Sequence, residues 1–162
     1  MMVLDLSFAS IVSLLIITSL LVLYSILDCR NRRVMNEVIL AGGAVGFLSV
    51  VFTGHIISNI ILHMTALLLV IPIIYILYRI GSIGGADAKV LFIIALVSPG
   101  IELGYWDQPV LEAVVGLWGE LLIMLLGGYL YLRLKGRDEN TIPPLLPFLL
   151  FGYITIQIIA LI

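Results

Sequence analysis

The chain reads as six long apolar runs separated by short polar breaks. The first covers residues 7–27 and ends in the polar stretch Asp28-Cys29-Arg30-Asn31-Arg32-Arg33. The second covers 37–53 and stops near Gly54-His55, and the third, 57–79, contains Pro72 and stops at Arg79. A glycine-rich break, Gly81-Ser82-Ile83-Gly84-Gly85-Ala86, leads to a fourth run over 88–105, which contains Pro99-Gly100. The fifth covers 111–132, and a polar turn from Arg133 to Asn140 leads through Pro143 and Pro144 into the last, 143–162. The runs are continuous rather than alternating, which argues against barrel strands. Most approach the ~20 residues an α-helix needs to cross a bilayer. The pattern predicts an all-α membrane protein with six transmembrane helices.

Composition agrees and narrows the function classes. Hydrophobic residues make up 62% of the 162 and charged residues only 11%. The charged share is about half that of an ordinary soluble domain. This excludes a soluble globular enzyme, a disordered chain, and a nucleic-acid binder working through a basic surface. Six spans would use ~120 residues and leave ~42 for loops and tails, so residues 1–162 are expected to form a single integral-membrane domain. The N-terminus carries Asp5 in place of a basic segment, so the first run reads as a retained span rather than a cleaved signal. Cys29 is the only cysteine, which excludes an internal disulfide and a thiolate metal cluster. His55 and His63 have no HExxH context and no phosphate-binding GxxxxGK[ST] is present, so no metal and no organic cofactor is implied.

The eight basic residues orient the bundle. Arg30, Arg32 and Arg33 follow the first run, Arg79 and Lys89 flank the break after the third, and Arg133, Lys135 and Arg137 follow the fifth. With six alternating spans all of them fall on one side, the positive-inside pattern. The chain is therefore expected to sit in the plasma membrane with both termini outside and these three loops in the cytosol. Gly42 and Gly46 form a small-xxx-small pair suited to close helix packing, and Gly127-Gly128 add small residues to the fifth span. Tyr105 and Trp106 are expected at the outer interface, Tyr129 and Tyr131 at the inner one.

Acids at membrane depth are functional candidates because a carboxylate in hydrocarbon is expensive. Asp28, Asp87, Glu112 and Glu120 lie close to apolar runs. Of these, the topology places Asp28, at the inner end of span 1, and Asp87, at the inner start of span 4, at similar depth on the cytosolic edge. They are 59 positions apart, so only tertiary packing can pair them. Two neighbouring carboxylates cannot both ionise cheaply; they share a proton and titrate as a unit. Such a pair can deprotonate a water and protonate a leaving amine, which is aspartic proteolysis. The plainer readings are a helix cap for Asp87 and a surface ion pair for Asp28.

The local motifs favour the first reading. Gly84-Gly85-Ala86-Asp87-Ala88-Lys89 resembles the glycine–aspartate motif of the GxGD intramembrane aspartyl proteases. Asp28 to Asn36 resembles the stretch after the first catalytic aspartate of type IV prepilin peptidases, with Val34-Met35-Asn36 where relatives have Ile-Pro-Asn or Ile-Pro-Asp. Pro143-Pro144-Leu145-Leu146-Pro147-Phe148 resembles the proline-rich lead into the last helix of the same family. The resemblance covers nearly the whole chain and is to the archaeal short form, the prepilin and preflagellin (prearchaellin) peptidases. Two positions depart: Ala86 stands where many relatives have Gly, and Met35 where the usual residue is Pro. The cysteine-rich insertion of bifunctional bacterial members is absent, so N-methylation of the product is not expected.

The resemblance implies a membrane aspartyl endopeptidase with Asp28 and Asp87 catalytic and the active site facing the cytosol. Its partner would be a pilin- or archaellin-like precursor with a class III signal peptide, a short basic leader ahead of a hydrophobic helix. Membrane lipid surrounds the chain and nucleic acid plays no part. Gly84, Gly85 and Ala86 shape the loop, the two glycines letting a substrate backbone approach. Lys89 is expected to anchor at the interface or to bias the aspartate pair, and Asn36 to hydrogen-bond loop backbone at the start of span 2. Glu37, Asp138 and Glu139 lie on the same side and are candidates to attract the basic leader. The main alternative from another class is a small proton-coupled transporter using Glu120, inside span 5. A third is a non-enzymatic assembly platform for a secretion machine.

Overall fold

The computed structural model describes residues 3–4, 7–135 and 143–159. Among these, the chain is helices joined by short loops, with one two-residue antiparallel pair, β1 (Val3–Leu4) with β2 (Gly104–Tyr105). Seven helices follow in order: α1 (Phe8–Asn31), α2 (Asn36–Phe52), the single turn α3 (His55–Ser58), α4 (Ile60–Ile80), α5 (Gly85–Val97), α6 (Pro109–Lys135) and α7 (Leu145–Ile159). Of these, α1, α4 and α6 are long and apolar enough to cross a membrane; α2 and α7 are shorter apolar helices.

Helix ends follow local chemistry. Ser7 caps α1 by accepting the Ser10 N–H at 3.1 Å. The sequence pattern ended this segment at residue 27, but α1 continues to Asn31, so Asp28 sits in its last turn. Arg30 in that turn suits the helix dipole. Arg32 then turns the chain in a left-handed conformation, φ 53°, unusual for a residue with a Cβ. Its guanidinium is held by the Tyr131 hydroxyl at 3.0 Å. α4 ends on Gly81, φ 79°, with Ser82 N–H bonded to Leu77 O and Gly81 N–H to Tyr78 O, the Schellman arrangement. α5 is shorter than the expected 88–105: it starts three residues earlier and stops at Val97. Pro99 explains the stop, because the residue before a proline is pushed out of the helical region, and Ser98 is at φ −140°, ψ 74°. Residues 98–108 instead fold back over the end of the bundle, burying Ser98, Ile101 and Glu102.

The six longer helices run alternately between two ends and close a ring in the order α1, α2, α5, α4, α6, α7, with α7 returning to α1. Tyr24, Val70, Leu91, Met124, Leu149 and Tyr153 fill its centre. The outside is apolar: Leu134, Phe52 and Leu40 are among many large side chains left exposed, as expected of a lipid-facing surface. Small residues set the closest crossings. A Cβ on Gly42 would lie 2.7 Å from Leu20 of α1, and one on Gly46 would lie 2.9 Å from Val97 of α5. The predicted Gly42/Gly46 pair thus serves two interfaces, one per glycine. Phe148 and Leu145 of α7 press on Gly127 and Gly128 in the same way.

The end holding Asp28, Asp87 and the starts of α2 and α7 is the aspartate end. The opposite, far end is polar inside. Glu102 is buried; its oxygens lie 3.1 Å from the Ser13 hydroxyl and 3.5 Å from His55 Nε2. The Glu102 N–H donates to Gln157 Oε1 at 2.8 Å, and Gln157 Nε2 donates to Gly100 O at 3.1 Å. Glu112 accepts the Ile101 N–H at 3.0 Å. Four segments, α1, α3, α6 and α7, therefore hold the 98–108 loop. Trp106, expected as an interface anchor, packs back onto Ile101 and Ile156.

Candidate active site

Two half-buried carboxylates stand at the aspartate end, and the charge of Asp28 reaches Asp87. Asp28 projects from the last turn of α1, and its Oδ2 accepts the Leu146 N–H at 3.3 Å. That N–H is one of the first-turn donors no helix can satisfy internally. Pro143 and Pro144 start α7 at that point and so supply Asp28 with a fixed donor. Asp87 is the third residue of α5, and its Oδ2 accepts the Gly84 N–H at 2.9 Å, closing the helix start. The cap expected of an Asp in this position is thus present, and the same side chain stands within the electrostatic field of Asp28. Anchoring each carboxylate to backbone makes helix packing, rather than side-chain rotation, set their separation.

The turn ahead of Asp87 is built for close approach. Gly84 and Gly85 are exposed, while Ile83 is tucked into the core. A Cβ on Gly84 would lie 3.0 Å from Asp87 Oδ2; one on Gly85 would meet only the Tyr78 ring, at 3.9 Å. Ala86 is half-buried and tolerated in the first turn of α5.

Lys89 and Asn36 pair with each other. The Lys89 ammonium donates to Asn36 Oδ1 at 2.6 Å, tying the start of α2 to α5. Asn36 is therefore engaged by a side chain rather than by loop backbone. Lys89 sits with Gly85 on the face of α5 turned away from Asp87, two residues or about 200° around the helix from it. Glu37 is exposed in the first turn of α2. Asp138 and Glu139 lie outside the described residues. Arg30 and Arg33 are exposed, and Tyr131 accepts from both Arg32 and Lys135.

Two features were not read from the sequence. One is the Leu146 N–H on Asp28; the double proline signals a helix start, but not which carboxylate it meets. The other is Glu102, hidden in an apolar run extended past Pro99. Glu120 is buried where Gly152 of α7 crosses the α6 backbone, remote along α6 from the aspartate end. Ser82 is exposed at the aspartate end while His55 and His63 stack edge to face at the far end, so Ser82 is remote from both histidines. Among the described residues no cluster of three or more His, Cys, Asp or Glu side chains is arranged to hold a metal.

No curated protein and no solved structure matches this chain. A family model does, over residues 15–161, a stretch that takes in both aspartates, the glycine pair and the prolines ahead of α7. The chain belongs to the type IV leader peptidase family, membrane-embedded proteases that remove leader peptides from type IV precursors.

Proposed function

We propose that this protein is an aspartyl endopeptidase in which Asp28 and Asp87 together activate a water molecule. What supports this reading is that two carboxylates 59 positions apart share one end of the ring, the charge of Asp28 reaches Asp87, and each accepts a backbone N–H. One proton shared by the pair leaves one member ionised and the other neutral. The ionised carboxylate takes a proton from water, and the resulting hydroxide attacks the scissile carbonyl carbon. The neutral carboxylate then gives its proton to the departing amine as the C–N bond breaks. Water becomes the new carboxyl and amine termini, and the pair is left with one proton, as it began.

We read the six longer helices as six spans with both termini outside. Arg30, Arg32, Arg33, Arg79, Lys89, Arg133 and Lys135 all lie at the aspartate end, which the positive-inside rule assigns to the cytosol. The substrate is a pilin- or archaellin-like precursor, cut between its short basic leader and its hydrophobic helix. Glu37, exposed in the first turn of α2, and, by their charge, Asp138 and Glu139 are the acids suited to attract that leader.

The test is cleavage of a prepilin or prearchaellin in proteoliposomes. Asp28→Asn and Asp87→Asn should each lower the rate by roughly 100-fold or more, the scale of lost general acid–base catalysis. Cleavage that survives both changes would overturn the reading.

A further inference from the structure

A second feature of the aspartate end lies on the outside of the ring. Between α2 and α4, over the outward face of α5, runs an open cleft of about 810 Å³. Its walls are helical stripes: Leu40, Ala44 and Phe47 on α2, and Ile71 and Tyr75 on α4. Ala88, Phe92 and Leu96 form the floor. Small residues at Gly43, Ala44 and Ala88 make the cleft deep enough for a backbone to approach. The floor from Gly85 to Leu96 rises about 16 Å, three turns of a docked helix.

We propose that this cleft receives the hydrophobic helix of the precursor, entering sideways from the lipid. The inference rests on the protease reading above and adds where the substrate lies.

Three observations favour this occupant. First, the cleft ends next to the candidate active site. Its mouth is Gly85, and the adjoining Gly84 touches the Asp87 carboxylate. Gly84 and Gly85 are both exposed at that tip of α5. That places the end of the docked helix, where the leader begins, next to Asp87. Second, the cleft is apolar along its length and polar only at its mouth, where Lys89 and Asn36 pair. This is the pattern of an apolar helix that ends in a polar junction. Third, Glu37 follows Asn36 in the first turn of α2 and is exposed, a negative charge at the same end of the cleft for a basic leader.

The test combines docking with turnover. In the Asp87→Asn protein, a photo-crosslinking amino acid at position 47 or 75 should capture the precursor in proteoliposomes, and one at position 151 or 134 should not. Adducts to lipid alone at 47 and 75 would overturn the proposal. In the active protein, Ala44→Trp should raise KM for the membrane-bound precursor by about tenfold or more. It should leave unchanged the cleavage of a soluble peptide that spans the junction but lacks the apolar helix. Ala44→Trp turnover equal to wild type on both substrates would also overturn it; loss on both would mark a damaged fold and leave the crosslinks to decide. Failure of the catalytic reading shows separately, as cleavage that persists in Asp28→Asn and Asp87→Asn.

Discussion

Gly84→Ala is the smallest change that discriminates a positioned catalytic carboxylate from a mere helix cap. Gly84 has φ −80°, ψ 165°, a conformation any residue adopts, so alanine adds no backbone strain. What it adds is a methyl 3.0 Å from Asp87 Oδ2, tighter than ordinary contact. The carboxylate must give by a few tenths of an ångström, stretching its 2.9 Å bond to the Gly84 N–H. A hydrogen bond to a charged group contributes about 1.5–3 kcal/mol, so weakening it by half costs ~1 kcal/mol of helix-start stability. The cost to turnover is larger, because misplacing a reacting group by ~1 Å can cost ~100-fold. The expected result is a kcat lower by about 10-fold, an unchanged KM and a small drop in thermal midpoint. Gly85→Ala is the control for kcat: its methyl meets only the Tyr78 ring at 3.9 Å and leaves Asp87 in place, so crowding of the cleft mouth should show in KM while kcat stays near wild type. Equal kcat for the two variants, or wild-type kcat for Gly84→Ala, would refute the argument that the glycine sets the position of Asp87.

Glu120→Gln should leave precursor cleavage unchanged, since the residue is sealed against α7 far from the aspartate end; proton flux in liposomes that disappears with it would favour a transporter instead. Gly46→Leu should lower stability by about 1–3 kcal/mol, read as thermal unfolding in detergent, because its Cβ alone would approach Val97 to 2.9 Å. Glu102→Ala should destabilise by about 1–3 kcal/mol by removing the acceptor for Ser13 and the partner of His55, with the aspartate end still able to cleave below the new unfolding temperature. Lys89→Met should loosen α2 from α5, raising hydrogen exchange at residues 36–39 without abolishing cleavage.

The periodic signals in the chain carried the helices, their alternating direction and the two aspartates at one end, because span length and loop charge are local properties. Local patterns misplaced boundaries wherever tertiary contacts compete with hydropathy. Asp28 reads as the first loop residue, yet Leu146 and the Arg32–Tyr131 contact hold the chain helical past it. Residues 98–105 read as membrane helix because they are apolar, but Pro99 and the bonds to Glu112 and Gln157 make them a tucked loop. The Lys89–Asn36 pair joins positions 53 apart, and the ring order sets α2 between α1 and α5; neither has a periodic signature in one sequence. The glycines were legible as small residues; which neighbour each admits was not.

The polar knot around Glu102 has a mechanical consequence. Prising helices apart there would strand several desolvated groups at once, each costing about 1–3 kcal/mol. The polar links at the opposite extremity include the exposed Lys89–Asn36 and Arg32–Tyr131 pairs, which water can replace, beside the half-buried Leu146–Asp28 bond. The molecule is thus built like a spring clip, with its pivot at the Glu102 end and its jaws at the aspartate end, so breathing motions concentrate at the jaws.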